Sequence, residues 1–291
     1  MPVERVNGVD LHVQTLGSAG PHVVMLHGMF LGSMTTWYFS TGPALAANRR
    51  VHMYDLRGHG RSGRPPTGYR IGDQAADLAA LVTRLAPGEK VSLVGHSYGA
   101  VIALRYALDH PETVERLVLV EAPLPIASMP VIETARKELY RGFVGSLTPW
   151  QRVLLWFNRR RAGRTIVARA PANPTKDRWL GMLPEGQRTA LEAGGRRAER
   201  LFAQMDGLAS KTTIKQDVLA EPDVADAELS AYQGRVLLVY GTRTMDALKD
   251  TGRRLARVLP NARLAWLDGT HALPWESARP LSALIGEFLD A

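Results

Sequence analysis

Val91-Ser92-Leu93-Val94-Gly95-His96-Ser97-Tyr98-Gly99-Ala100 is an apolar run that breaks into Gly-x-Ser-x-Gly and continues as an amphipathic segment. The change from a strand-like run to helical periodicity across a glycine-flanked serine reads as strand, sharp turn and helix. A serine on such a turn holds its hydroxyl exposed above the sheet. Glycines flank it because a side chain at either position would collide with neighbouring backbone. Ser97 is therefore the candidate nucleophile.

Working outward, Val23-Val24-Met25-Leu26 is a second apolar run, ending in His27-Gly28. A third, Val51-His52-Met53-Tyr54, leads into Asp55-Leu56-Arg57-Gly58-His59-Gly60-Arg61-Ser62-Gly63, and Gly269-Thr270-His271 lies near the C-terminus. Together these motifs resemble the α/β-hydrolase family, in its lid-bearing esterase and lipase branch, over nearly the whole chain. The resemblance implies an α/β fold: a mostly parallel eight-stranded sheet with helices on both faces and a helical lid inserted into it.

The remaining sequence divides accordingly. Val3 to Val6 and Leu11 to Leu16, joined around Asn7-Gly8, read as an antiparallel hairpin with a tight turn. Strands at 23 to 26, 51 to 55, 91 to 94 and 117 to 120 then alternate with a short helix near Trp37 to Ala47 and helices at Asp73 to Leu85 and Ser97 to His110. That alternation implies parallel strands with right-handed crossovers. From Ile126 to Leu229 it stops, and the sequence is helical in period, broken by Pro149, Pro171, Pro174 and Pro184. Sheet geometry resumes at Val236 to Tyr240 and Arg263 to Leu267, each followed by helical sequence. The expected organisation is a catalytic core of residues 1–125 and 230–291 with a lid of residues 126–229.

A chain of 291 residues, 45% hydrophobic, is long enough to bury a full core. It holds no cysteine, which excludes disulfides, thiolate metal sites and a cysteine nucleophile. No stretch has signal-peptide or membrane-spanning character, so a soluble cytoplasmic protein is expected. The net charge of +8 is concentrated: residues 122–215 hold 17 Lys plus Arg against 7 Asp plus Glu, leaving −2 for the rest. The surplus reads either as a solvated face of arginine-biased helices or as a docking surface for an acidic carrier, an anionic membrane face or a carboxylated substrate. Nucleic acid is not an expected partner, since the arginines are not interleaved with stacking aromatics.

Serine at its own pKa is a poor nucleophile, so acyl transfer needs a base within hydrogen-bond reach and an acid to orient that base. The family's chain order of serine, acid, histidine points to His271. The oxyanion of the tetrahedral intermediate needs fixed backbone donors. The resemblance assigns these to the N–H groups of Tyr98, directly after the nucleophile, and Met29, after His27-Gly28. The acid departs from the family pattern. Most relatives carry Asp three residues beyond the glycine that ends the penultimate strand, and here Gly241-Thr242-Arg243-Thr244 places threonine there. Two carboxylates remain candidates: Asp246 in the same loop, whose other reading is a helix-start residue, and Glu121 after the strand that follows the nucleophile helix. Asp55 to Gly63 reads as architectural, with Asp55 or Arg57 bracing loops, and Trp37 and Trp275 flank the expected pocket.

The expected activity is hydrolysis of a small-molecule carboxylic ester through an acyl-enzyme, without metal or organic cofactor. Serine at position 97 argues against dehalogenase or epoxide hydrolase chemistry, because those relatives use Asp there. The alternatives are a thioesterase or acyl transferase acting on a carrier-bound acyl chain, and a non-hydrolytic descendant that binds a small ligand.

Overall fold

The computed structural model describes residues 3–29, 32–126 and 195–291. Eight strands form one sheet: β1 Val3–Val6, β2 Val9–Leu16, β3 His22–Leu26, β4 Arg50–Tyr54, β5 Val91–His96, β6 Val114–Val120, β7 Val236–Gly241 and β8 Ala262–Leu267. Their spatial order is β1-β2-β4-β3-β5-β6-β7-β8. β1 with β2 and β2 with β4 are antiparallel, and every other pairing is parallel. The opening hairpin turns at Asn7 (φ 46°) and Gly8 (φ 77°), the left-handed pair that a tight two-residue turn requires.

The apolar runs of the central strands follow from burial on both faces. β3, β5 and β7 are buried at every position. Alternate residues serve separate cores. Val24, Leu26, Leu93, Leu117, Leu119 and Leu238 pack under α3 (Ile71–Leu85), α4 (Tyr98–Asp109) and α8 (Asp246–Val258). Val23, Met25, Met53, Val94, Val118 and Val239 pack against Trp37 of α1 (Thr35–Tyr38), Leu45 of α2 (Thr41–Leu45), Leu273 of α9 (Leu273–Glu276) and Ile285 of α10 (Ala278–Asp290).

Two expected helices are subdivided. The segment near Trp37 forms α1 and α2, and the C-terminal helical stretch breaks at Ser277 into α9 and α10. Of the expected lid, residues 127–194 lie outside the described residues. Its last part forms α5 (Gly195–Lys211), α6 (Ile214–Leu219) and α7 (Asp226–Ala231). Among the described residues no helix is long and apolar enough to cross a membrane.

Two polar clusters tie the antiparallel edge to the parallel sheet. The Arg57 guanidinium grips the buried Asp77 carboxylate twice, at 2.6 Å each, and donates to the Gly68 carbonyl at 2.8 Å; Asn7 of the hairpin turn donates to the same carboxylate at 3.0 Å. At the other end of the strands, Thr15, His52 and His22 cross three strands in one hydrogen-bond chain. Thr15 Oγ1 is 2.9 Å from His52 Nδ1, His52 Nε2 is 2.8 Å from His22 Nδ1, and His22 Nε2 faces Glu89 at 3.4 Å.

Only one proton fits between the two imidazoles, so the two rings cannot both be charged. Burial above all, then the neighbouring His22 and Arg50, pushes His52 down to about 4, and burial lowers His22 below 6.5. The unfolded chain takes up protons at these rings below pH 6.5 while the folded chain does not. Stability is therefore full above that pH and lost as pH falls towards about 4. Thermal unfolding followed from pH 8 to pH 4 is expected to show a falling Tm across that window and a shallower fall in His52→Gln. A Tm independent of pH over the same range would contradict the neutral-chain assignment.

Candidate active site

Two strand ends share one unusual geometry. Ser97 donates its N–H to the Val120 carbonyl at 2.9 Å, which carries the β5–β6 ladder one residue past the strand, and the backbone then turns to φ 54°, ψ −121° before entering α4. Glu121 donates its N–H to the Val239 carbonyl at 2.9 Å past the end of β6, and it too has φ 54°. Asn7, Ser97 and Glu121 are the only non-glycine residues with positive φ among the described residues. Backbone in that region costs on the order of 1–3 kcal/mol per residue and persists only where the surroundings enforce it. The flanking glycines permit it: a Cβ at Gly95 would lie 2.5 Å from the Ala100 Cα, and one at Gly99 would lie 2.5 Å from the His27 carbonyl oxygen.

His271, in the loop between β8 and α9, reaches between these two residues. Its Nε2 accepts from Ser97 Oγ at 2.9 Å, and its Nδ1 donates to Glu121 Oε2 at 3.0 Å. The Glu121 carboxylate is fully buried and accepts two further hydrogen bonds, from the Gly241 N–H to Oε1 and from the Thr244 hydroxyl to Oε2, each at 2.6 Å. The Tyr240 hydroxyl donates to the Ala122 carbonyl at 2.9 Å and anchors the chain beyond the turn. Asp246 is not brought to His271. It stands in the first turn of α8 with its side chain 96% exposed, 3.6 Å from Lys249, where a carboxylate favours a helix start.

The remaining site residues position backbone. Gly28 lies against Ser97: a Cβ there would be 3.3 Å from the Ser97 Cβ and 3.2 Å from His96 Nδ1. Met29, which follows it, is half-buried. Tyr98 opens α4, so its N–H belongs to the first turn, where amides have no intrahelical partner. Its buried hydroxyl donates to the Tyr69 carbonyl at 2.9 Å, and burial pushes that phenol well up.

His27 accepts the Leu56 N–H on Nε2 at 3.0 Å and so carries its proton on Nδ1, which donates to the Gly28 carbonyl at 2.7 Å. Asp55 braces the same loop by accepting the Met34 N–H at 2.8 Å and the Arg61 N–H at 2.9 Å. His96 donates from Nε2 to the His271 carbonyl at 2.8 Å and so fixes the loop that presents that imidazole.

Burial, with the adjacent His271 second, pushes His96 down to about 3; burial, with His27 second, does the same to His59. Burial likewise lowers His27. Trp37 is completely buried, donating to the Leu26 carbonyl at 2.9 Å, whereas Trp275 is half-exposed and meets His96 edge-on at 5.7 Å.

Sequence reasoning treated Thr244 as the absence of an acid. It missed that the hydroxyl is a partner of Glu121, a link visible only when positions 121 and 244 are considered together. No three His, Asp or Glu residues are grouped to hold a metal ion among the described residues.

A family model described as alpha/beta hydrolase fold matches residues 21–278. The chain is 33% identical over 189 residues to pimeloyl-[acyl-carrier protein] methyl ester esterase of Klebsiella pneumoniae, a match covering 64% of this chain and 69% of that protein. It is 35% identical over 137 residues to a soluble epoxide hydrolase of Corynebacterium sp., covering 43% of this chain and 46% of that one, so the chain spans under half the length of that relative. Among solved structures, the enol-lactonase of Burkholderia xenovorans superposes over the full length of both chains with a TM-score of 0.67 and 21% identity, a likeness of fold. With the family match running from the start of β3 to the start of α10, over a sheet of this strand order, the chain belongs to the α/β-hydrolase family of enzymes.

Proposed function

We propose that the protein hydrolyses a carboxylic ester through an acyl-enzyme, with Ser97 as nucleophile, His271 as base and Glu121 as the acid that orients it. The reading is carried by the continuous hydrogen-bond chain from Ser97 Oγ through both His271 nitrogens to a buried carboxylate. As Ser97 Oγ attacks the ester carbonyl, Nε2 takes its proton. Glu121 holds the ring in the Nδ1–H tautomer and stabilises the imidazolium that forms. The N–H groups of Met29 and Tyr98 hold the oxyanion. Collapse of the tetrahedral intermediate breaks the bond to the alkoxy group, which leaves with the proton from Nε2. Water activated by the same nitrogen then releases the acid. In this reading residues 126–229 carry the substrate selection.

The ester is preferred over an epoxide because position 97 is a serine: an alkyl ether left on serine by epoxide opening would resist the water that an acyl ester admits. The hydrogen bond from His271 to Glu121 favours this reading over a non-hydrolytic, ligand-binding role. An acyl chain on an acidic carrier is the second reading, favoured by the surplus of ten positive charges in residues 122–215 and by the resemblance to an esterase named for an acyl-carrier-protein ester.

Labelling by a fluorophosphonate probe is expected to vanish in Ser97→Ala and to slow by orders of magnitude in Glu121→Gln, by analogy with loss of the acid in other serine relays. Asp246→Asn is expected to label like wild type. Labelling that survives Ser97→Ala, or that slows in Asp246→Asn and not in Glu121→Gln, would overturn the assignment. For the carrier reading, reversing the charge at Arg159, Arg160 and Arg161 is expected to abolish turnover of acyl-carrier thioesters while leaving simple esters unaffected. Equal rates on both substrates before and after reversal would remove it.

A further inference from the structure

We propose that Asp217 of α6 is a positioning residue for the oxyanion hole: it fixes the backbone on which the Tyr98 side chain is anchored, and so ties α6 to the Tyr98 amide. This rests on the reading of the Tyr98 N–H as an oxyanion donor.

Three consecutive peptide groups ahead of α3 are each gripped at both ends. In the first, the Gly68 carbonyl accepts from Arg57 Nη1 at 2.8 Å and the Tyr69 N–H donates to Asp217 Oδ2 at 3.0 Å. In the second, the Tyr69 carbonyl accepts the Tyr98 hydroxyl at 2.9 Å and the Arg70 N–H donates to Asp73 Oδ2 at 3.1 Å. In the third, the Arg70 carbonyl accepts the Gln74 N–H at 3.1 Å and the Ile71 N–H donates to Glu221 Oε2 at 3.2 Å. A cation on the carbonyl and a carboxylate on the N–H lie along the dipole of the first group, so both of its bonds are charge-assisted. Asp73 belongs to α3 itself, whereas Asp217 and Glu221 come from 148 and 150 residues further along the chain than the amides they accept.

Asp217 is itself held. Thr213 Oγ1 donates to the same Oδ2 at 2.6 Å, and the Thr213 N–H donates to the Pro66 carbonyl at 2.9 Å. Ile214 and Val218, which flank Asp217 in α6, are buried in the same core as Tyr69 and Tyr98. At the other end of this chain of contacts, the Tyr98 N–H lies in the first turn of α4, outside the intrahelical ladder, so its aim depends on what fixes the residue. The bond from Ser97 to the Val120 carbonyl is one constraint. The fully buried Tyr98 ring, held at its hydroxyl by Tyr69, is the other. A donor serves a developing oxyanion only if it is fixed before the charge forms.

The test compares turnover of para-nitrophenyl butyrate with that of its thiono analogue by the full chain. Sulfur accepts hydrogen bonds weakly, so an oxyanion hole favours the oxygen ester. Asp217→Ala is expected to lower kcat on the oxygen ester about tenfold, less than loss of a whole oxyanion donor costs, with KM and the thiono rate little changed. The oxygen-to-sulfur ratio then falls by a similar factor. Tyr98→Phe, which keeps the amide and removes only its anchor, is expected to lower the ratio in the same way, and Asp217→Asn, which keeps an acceptor oxygen, to restore most of it. Asp223→Ala, which breaks an ion pair to Arg254 at 2.8 Å close to α6 in sequence, is expected to keep the wild-type ratio. A merely structural loss would slow both esters alike. An unchanged ratio in folded Asp217→Ala or in Tyr98→Phe overturns the proposal. No preference of the wild-type chain for the oxygen ester overturns instead the oxyanion reading on which it stands.

Discussion

The arrangement depends on how β5 and β6 end. Each strand passes one more N–H to its neighbour than the strand itself contains, and each then reverses through a left-handed residue, Ser97 and Glu121, both at φ 54°. Because the strands are adjacent and parallel, the two turns stand side by side on the same edge of the sheet. Their side chains lie within reach of a single imidazole. Neither turn is possible without its surroundings. Glycines at 95 and 99 admit the first, and the second is held by the Tyr240 hydroxyl on the Ala122 carbonyl.

A fully buried carboxylate is costly unless its lone pairs are used, and several kcal/mol of desolvation must be offset locally. Glu121 meets that demand with three donors drawn from two loops. Buried histidines elsewhere in the core act differently: His27, His59 and His96 are all driven towards the neutral form by burial, so they serve as directed donors and acceptors that aim backbone. His271 has a hydroxyl on one nitrogen and a carboxylate on the other.

Much of this was legible in the chain. The hairpin at Asn7-Gly8, the order of strands and helices and the turn at Ser97 follow from local pattern, because glycine placement and hydrophobic period report backbone constraints directly. The two carboxylate candidates could not be separated in that way. Asp246 is closer to the family position in sequence, yet two residues beyond Thr244 the chain has already entered α8, which turns the side chain outward into solvent. Glu121 reaches His271 across 150 residues of sequence, and the pairing of β6 with β7 and of β7 with β8 brings their loops together. The bracing role of Asp55 was legible as a possibility, while the tautomers of His27 and His96 depend on partners that sequence does not name.

The most direct test is a crystal structure of the enzyme inactivated by a fluorophosphonate. The account predicts phosphorus bonded to Ser97 Oγ, with the phosphoryl oxygen about 2.7–3.1 Å from the backbone nitrogens of both Met29 and Tyr98, and Glu121 still bound to His271. Phosphorus on another residue, or a phosphoryl oxygen turned away from both amides, would contradict it.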